Sequence, residues 1–335
     1  HMFLENANGQ VVDRVRIGGA LVRKQTAKVD PLRLYALVDG DGDEQNEICW
    51  CSQADLDRES SLWKLQCRGV GEDSVHWSMP LRFDALFPRK PFVVRGSRFG
   101  ATAVRAGDYD SDGVPELYVT ANHRPYFPGL LLQIDPATGE ERQRYLHPGH
   151  LQGITGYDLN GDGVQELFVP GTNNAYWEAS VAVLDPRSMS GHAPTREEYI
   201  VDGLQPAEHV AYIRFPPTKV HNARTGNLAQ AGGFSSRTNS QRLSVWVDEG
   251  KSQDKRNDSS ILIHFNRNLA PQAVGTSSEY DVIARRLVET GQLDAVPDYD
   301  YFQDYMTRLQ YWTGDGWTTE PTVHWPAADS SRARE

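Results

Sequence analysis

The sequence predicts an all-β protein, and three observations carry that expectation. Glycine (29 residues) and aromatics (10%) are plentiful against four methionines, a mix that favours strands and turns. Short apolar or alternating runs bounded by turn residues recur along most of the chain. One Asp/Gly-rich loop occurs three times, each time between two strand-like runs.

Composition narrows the field further. Of 335 residues, 34 are Lys or Arg and 45 Asp or Glu, a formal net charge of −11. That balance excludes a basic footprint for nucleic acid or an anionic membrane. No run approaches the roughly 20 apolar residues of a membrane helix, so no membrane insertion is expected in this segment. Three cysteines exclude a disulfide-built scaffold. His1-Met2 reads as a cloning remnant, and any native signal or anchor is expected upstream of Phe3.

In chain order, a strand at 34–38 leads into the first loop, Asp39-Gly-Asp41-Gly-Asp43-Glu-Gln-Asn-Glu47, followed by Ile48-Cys49-Trp50 and a strand at 62–67. Cys49 and Cys51 flank Trp50 and so share a strand face. A Cys49–Cys67 bridge, a Cys51–Cys67 bridge and three buried thiols all remain open. A strand at 101–106 leads into the second loop, Asp108-Tyr-Asp110-Ser-Asp112-Gly-Val-Pro-Glu116. Strands at 116–121, 129–134 and 141–146 follow, the last two joined by the turn Asp135-Pro-Ala-Thr-Gly139. The third loop, Asp158-Leu-Asn160-Gly-Asp162-Gly-Val-Gln-Glu166, lies between strands at 152–157 and 166–170. A strand at 180–185 then ends in a second Asp-Pro turn, Asp185-Pro186. Strands at 209–215, 243–247 and 261–265 come next, with 217–240 and 248–259 read as long polar loops. A capping box at Ser278 to Asp281 starts a helix that Gly291 stops. A shorter helix is expected from about 298 to 307, then a hairpin at 309–317.

The repeated loop has a chemical logic. Oxygen-bearing side chains fill positions 1, 3, 5 and 9: Asp39, Asp41, Asp43 and Glu47; Asp108, Asp110, Asp112 and Glu116; Asp158, Asn160, Asp162 and Glu166. A hard cation such as calcium takes six to eight oxygens, and a glycine after position 5 permits the sharp reversal. A helix–loop–helix hand keeps its last acid at position 12; here it stands at 9, and strands follow. Ordinary Asp/Gly hairpin turns are the alternative, disfavoured by three copies with the same positions filled. Glu44 replaces the glycine in loop one, which puts that loop's turn and occupancy in question. Asn160 keeps an oxygen but drops a charge in loop three.

These segments resemble the FG-GAP repeats of integrin-alpha-like β-propellers and their bacterial relatives. Phe99-Gly100 matches the opening Phe-Gly, and Asp108–Glu116 sits where that family keeps its calcium loop; Thr120-Ala121-Asn122 departs from the family's Gly-Ala-Pro. The resemblance covers roughly 30–190. It implies an all-β propeller of about five to seven blades with one or two helices near the C-terminus. Residues 3–325 would form a single domain, with calcium-loop blades at about 10–190, degenerate blades and a helical insertion at about 191–325, and a flexible tail at 326–335. A closing strand is expected from 11–22 or from the hairpin at 309–317. Two or three structural Ca2+ ions and an extracytoplasmic location follow, since loosely built calcium modules fill only at extracellular calcium levels.

On the blade face opposite the loops, the resemblance places His123, Arg124, Tyr126 and Phe127 beside Asn173, Tyr176 and Trp177. Aromatic platforms with amide and guanidinium donors suit a glycan or protein ligand; packing between blades is the alternative. His147 and His150 form a weaker metal candidate, Asp298 to Asp304 an acidic helix start, and His221 to Arg224 a weaker ligand-contact or catalytic candidate. No Ser/His/Asp spacing, phosphate loop or His-Glu-x-x-His motif is present. The expectation is a recognition, sensory or adhesion module, part of a longer protein. A polysaccharide lyase on the same scaffold and an architectural spacer are the alternatives.

Overall fold

The computed structural model describes residues 2–5, 8, 10–15, 34–53, 63–83, 99–123, 127–176, 178–215, 229–232, 243–248, 260–272 and 307–325. These residues are all-β, with several antiparallel sheets, none closed into a barrel. One short 3-10 turn, Glu197–Tyr199, is the only helical element among them. Both helices expected after 278 lie outside the described residues, as do the tail at 326–335 and the segments 298–304 and 221–224. The chain divides into two compact units, His1–Ile154 with Ser190–Ala207, and Thr155–Met189 with Glu208–Glu335.

In the first unit, β1 (Met2–Glu5) and β2 (Val11–Val15) form a hairpin of their own. A first up-and-down sheet follows from β3 (Tyr35–Val38), β4 (Glu47–Gln53), β5 (Trp63–Gly69) and β6 (Trp77–Pro80). A second is built from β7 (Phe99–Gly107), β8 (Glu116–His123), β9 (Gly129–Ile134) and β10 (Glu141–His147). Every residue of β8 and β9 is buried, as strands covered on both faces require. That is why Leu117-Tyr-Val and Gly129-Leu-Leu-Leu read as continuous apolar runs rather than alternation.

The second unit starts with β11 (Thr155–Tyr157), β12 (Glu166–Asn173) and β13 (Glu178–Leu184). The chain then returns to the first unit, where β14 (Gly191–His192) pairs in parallel with β10. Back in the second unit, β15 (Ala211–Phe215) pairs with β13. A four-stranded sheet follows, of β16 (Ala229–Gly232), β17 (Leu243–Asp248), β18 (Ser260–Phe265) and β19 (Pro271–Gln272). The hairpin β20 (Gln310–Trp312) and β21 (Trp317–Thr318) extends the β11–β12–β13–β15 sheet to six strands. Its inner face supplies Phe168, Val181, Val183, Ile213, Phe215 and Tyr311 to a core shared with Ile263 and Phe265 of β18.

Three sequence expectations change here. The polar stretch 217–240 is not loop throughout: Ala229–Gly232 is a strand, because backbone pairing with β17 outweighs a composition poor in β-formers. The hairpin at 309–317 pairs with β15 instead of closing the first sheet. Of the segment 11–22, the described part pairs only with β1, and it is tied down by a side chain. Asp13 accepts from Arg68 Nη2 (2.6 Å) and from the Gly71 N–H (3.1 Å), while Leu4 packs on Ile48 and Trp50.

Both Asp-Pro turns form as read. Asp135 Oδ1 accepts from the N–H groups of Ala137 and Thr138, and Asp185 Oδ1 from that of Arg187. Gly139 closes the first of them at φ +76° directly beneath the Trp77 ring, where a Cβ would lie 2.6 Å from ring atoms. Trp77 Nε1 donates to the Pro136 carbonyl at 2.7 Å, which fixes the edge of the first sheet against the second.

The cysteine question is settled by register. Cys49 and Cys67 stand directly opposite on β4 and β5, whereas Cys51 faces Leu65. Cys49 and Cys67 are bridged, and Cys51 is a buried thiol that burial holds well above the usual thiol range. A thiol assay on the unreduced, fully denatured protein should therefore find one reactive cysteine per chain, rising to three after reduction; three without reduction would contradict the bridge.

Candidate cation-binding loops

Each repeated loop joins the first two strands of a sheet, β3–β4, β7–β8 and β11–β12. All three loops fold by one hydrogen-bonding scheme. The position 1 carboxylate accepts from the N–H of position 6: Asp39 from Glu44 (3.0 Å), Asp108 from Gly113 (3.1 Å), Asp158 from Gly163 (3.1 Å). Position 3 accepts from the N–H of position 5, in Asp41, Asp110 and Asn160. Position 5 accepts from the N–H of position 7: Asp43 from Gln45, Asp112 from Val114, Asp162 from Val164. The position 9 glutamate reaches back to the N–H of position 2: Glu47 to Gly40 (2.7 Å), Glu116 to Tyr109 (3.0 Å), Glu166 to Leu159 (2.7 Å). Short side chains at alternate positions thus satisfy amides that a tight reversal cannot pair with other backbone groups.

The reversal needs left-handed backbone twice in every loop, at positions 4 and 6. The pairs are Gly42 and Glu44, Ser111 and Gly113, Gly161 and Gly163, with φ between 60° and 92°. Glu44 adopts the turn in spite of its side chain, which answers the question of loop one's geometry. The left-handed requirement at position 4 is a feature the sequence reading missed. Its signal was present in Gly42 and Gly161, with Ser111 breaking the pattern.

Convergence differs among the loops. In loop two, ligand oxygens of Asp108, Asp110, Asp112 and Glu116 all lie within 4.8 Å of one another. In loop one Asp39, Asp41 and Asp43 do so without Glu47. No acidic trio of loop three meets that spacing among the described residues, and Asn160 Nδ2 donates to Asp162 Oδ2 at 3.0 Å. The position 9 glutamates are the buried members, 5%, 3% and 3% exposed for Glu47, Glu116 and Glu166. Burial pushes the carboxyls of Glu116 and Glu166 up to about 7, against the opposing pull of the N–H each accepts, and the neighbouring aspartates push further. Glu47 is raised by the same causes. Four carboxylates around one point disfavour ionisation; a divalent cation held among them removes that penalty. The donors are all hard oxygens, which suits calcium or magnesium over a transition metal.

The proposed ligand-contact residues occupy other settings. In the first unit, His123 and Phe127 are buried, with Phe127 edge-to-face on Tyr199 (5.2 Å) and His123 on Phe99 (5.4 Å). In the second, Asn173 is fully buried, donating from Nδ2 to the Tyr212 hydroxyl (2.8 Å), and Tyr176 is half-buried against Arg214 and Trp317. Arg124, Tyr126 and Trp177 lie outside the described residues. His147 is buried, and His150 Nε2 lies 3.1 Å from the His123 carbonyl oxygen; neither belongs to a metal-type cluster among the described residues.

Neither protein-family models nor curated proteins give a match to this chain.

Two outcomes follow from the loop geometry. Glu44→Gly should stabilise the protein by about 1 kcal/mol in chemical denaturation, since it relieves a left-handed L-residue; a loss of stability would contradict the shared turn. The raised carboxyls of Glu116 and Glu166 mean that the folded protein binds more protons than the unfolded chain between the ordinary value of 4.5 and about 7. Cation-free protein should therefore lose stability as pH rises through that window, measured as melting temperature in chelator; a rise across the window would contradict the burial argument.

Proposed function

We propose that this chain is a calcium-stabilised β-propeller of the FG-GAP type that works outside the cytoplasm as a non-catalytic recognition module. The observation that carries the reading is the set of four hydrogen bonds that all three loops share, with four acidic side chains converging in loop two. Asp108, Asp110, Asp112 and Glu116 would hold the ion there. Loop one offers three aspartates, and loop three a set with one charge fewer. The ion supplies charge neutralisation and a pin between the first two strands of a sheet.

A structural role suits loops built from one contiguous segment each, at a strand-to-strand reversal. A catalytic calcium needs an open position beside a substrate groove. The propeller reading is supported by four up-and-down sheets in series, β3–β6, β7–β10, β11–β13 with β15, and β16–β19. Burial of both faces of β8 and β9 supports it too, because blades cover one another on both sides. The Cys49–Cys67 bridge supports an oxidising compartment, where calcium is abundant enough to fill modest sites.

Millimolar calcium should raise the melting temperature of chelator-treated protein, and renewed chelation should reverse the gain. Asp110→Ala should lower the bound calcium by one ion per chain and shrink that gain. A melting temperature indifferent to calcium, or an unchanged stoichiometry in Asp110→Ala, would defeat the reading.

A further inference from the structure

The second unit gathers a cluster that no single stretch of sequence displays. Along β15 the side chains alternate: Ala211, Ile213 and Phe215 enter the core, while Tyr212 and Arg214 face the other way. The same alternation on β20 sends Tyr311 into the core and leaves Gln310 and Trp312 on the face with Arg214. Trp317, cross-strand partner of Trp312, joins them with ring centroids 5.1 Å apart. Glu178 of β13 and Tyr176 just before it complete the set.

Arg214 is the centre of this group. Its Nε lies 2.6 Å from Glu178 Oε2, and Nη2 donates to Gln310 Oε1. Its guanidinium carbon lies 4.2 Å from the Trp317 ring centre and 4.5 Å from that of Tyr176. Those two rings are themselves perpendicular, 5.5 Å apart. Arg214 and Glu178 are each 14% exposed, whereas Tyr176, Trp312 and Trp317 are half-buried. The polar groups are thus fixed in place beside aromatic surface that stays partly open.

We propose that the Tyr176–Arg214–Trp312–Trp317 cluster is a binding site for a neutral saccharide. The proposal rests on the recognition reading above and names its ligand class. The ring surface that Arg214 leaves uncovered can receive the C–H side of a sugar ring, while Arg214 Nη1 and Gln310 Nε2, which the bonds above do not engage, can donate to its hydroxyls. The cluster's two charges cancel in the Arg214–Glu178 pair, so it offers no net attraction to an acidic sugar or a phosphate. Preorganisation by the cation–π and ion-pair contacts lowers the ordering cost of binding. A protein partner would ask for a wider apolar patch than these three half-buried rings provide.

The test titrates the full chain, in calcium, with maltohexaose, cellohexaose, xylohexaose, mannohexaose and hexagalacturonate, followed by tryptophan fluorescence and calorimetry. At least one neutral oligosaccharide is expected to saturate the protein. Trp312→Phe and Gln310→Ala should each weaken that binding about tenfold or more, with an unchanged melting temperature for Gln310→Ala showing that the fold is intact. No binding by any neutral sugar, or binding of hexagalacturonate alone, overturns the proposal. Neutral-sugar binding undiminished in both variants overturns this site while leaving the recognition reading standing. A blank sugar panel together with calcium-dependent capture on a peptide array would likewise remove only the saccharide site.

Discussion

Negative charge crowded into three strand reversals is the constraint around which the rest of the structure is arranged. Each loop draws its carboxylates inward to satisfy its own amides, and each buries a glutamate at the first residue of the strand that follows. Glu47, Glu116 and Glu166 thus belong to loop and sheet at once. Their burial makes ionisation costly, and the aspartates around them add to the cost. On the reading proposed above, a bound cation would turn that liability into a clamp, because the same oxygens that repel one another when alone would become shared ligands. On that reading, the stability of the first strand pair in a loop-bearing sheet would follow cation occupancy.

The surrounding contacts reinforce the same strands. In the first sheet, β4 begins at Glu47 and reaches the Cys49–Cys67 bridge two residues later, so one strand is held both by the loop and by a covalent link to β5. The β1–β2 hairpin adds the Asp13–Arg68 pair at the same end of β5, one residue past the bridge and opposite Ile48. Both partners are buried, which makes the pair costly to break on one side only. In the second sheet, Arg142 pairs with Asp135 at the turn, and its charge is felt by Glu116 and Asp112 of the loop. In the third, Arg187 stands in the same relation to Asp185 and to Asp162 and Glu166. An arginine two or seven residues after the aspartate of each Asp-Pro turn serves as a weak internal counter-charge in both sheets.

Much of this was legible in the sequence. The strands flanking loops two and three fall within a few residues of where alternation and apolar runs placed them, and both Asp-Pro turns form. Spacing alone marks position 9 as a candidate ion ligand; its burial and its bond to the amide of position 2 emerge only from the fold. The cysteine pairing depended on whether Cys49 or Cys51 faced Cys67, a one-step question of register that sequence leaves open. Ala229–Gly232 was hidden because its strand character comes from its neighbour β17 and not from its own residues. The Arg214 cluster was hidden for a different reason. Its members come from β13, β15, β20 and β21, and only the insertion of a C-terminal hairpin beside β15 brings Trp312 and Trp317 to Tyr176. His123, Phe127 and Asn173, expected on the blade face opposite the loops, are buried and engaged in ring contacts or a hydrogen bond, which only the fold reveals.

The central claim is that a divalent cation sits within the loop from Asp108 to Glu116. Crystals grown with calcium and exposed to long-wavelength X-rays test it most directly, through the anomalous scattering of the bound ion. The expected result is a strong anomalous peak among the side-chain oxygens of Asp108, Asp110, Asp112 and Glu116. An ordered loop in this conformation without such a peak, at millimolar calcium and neutral pH, would contradict it.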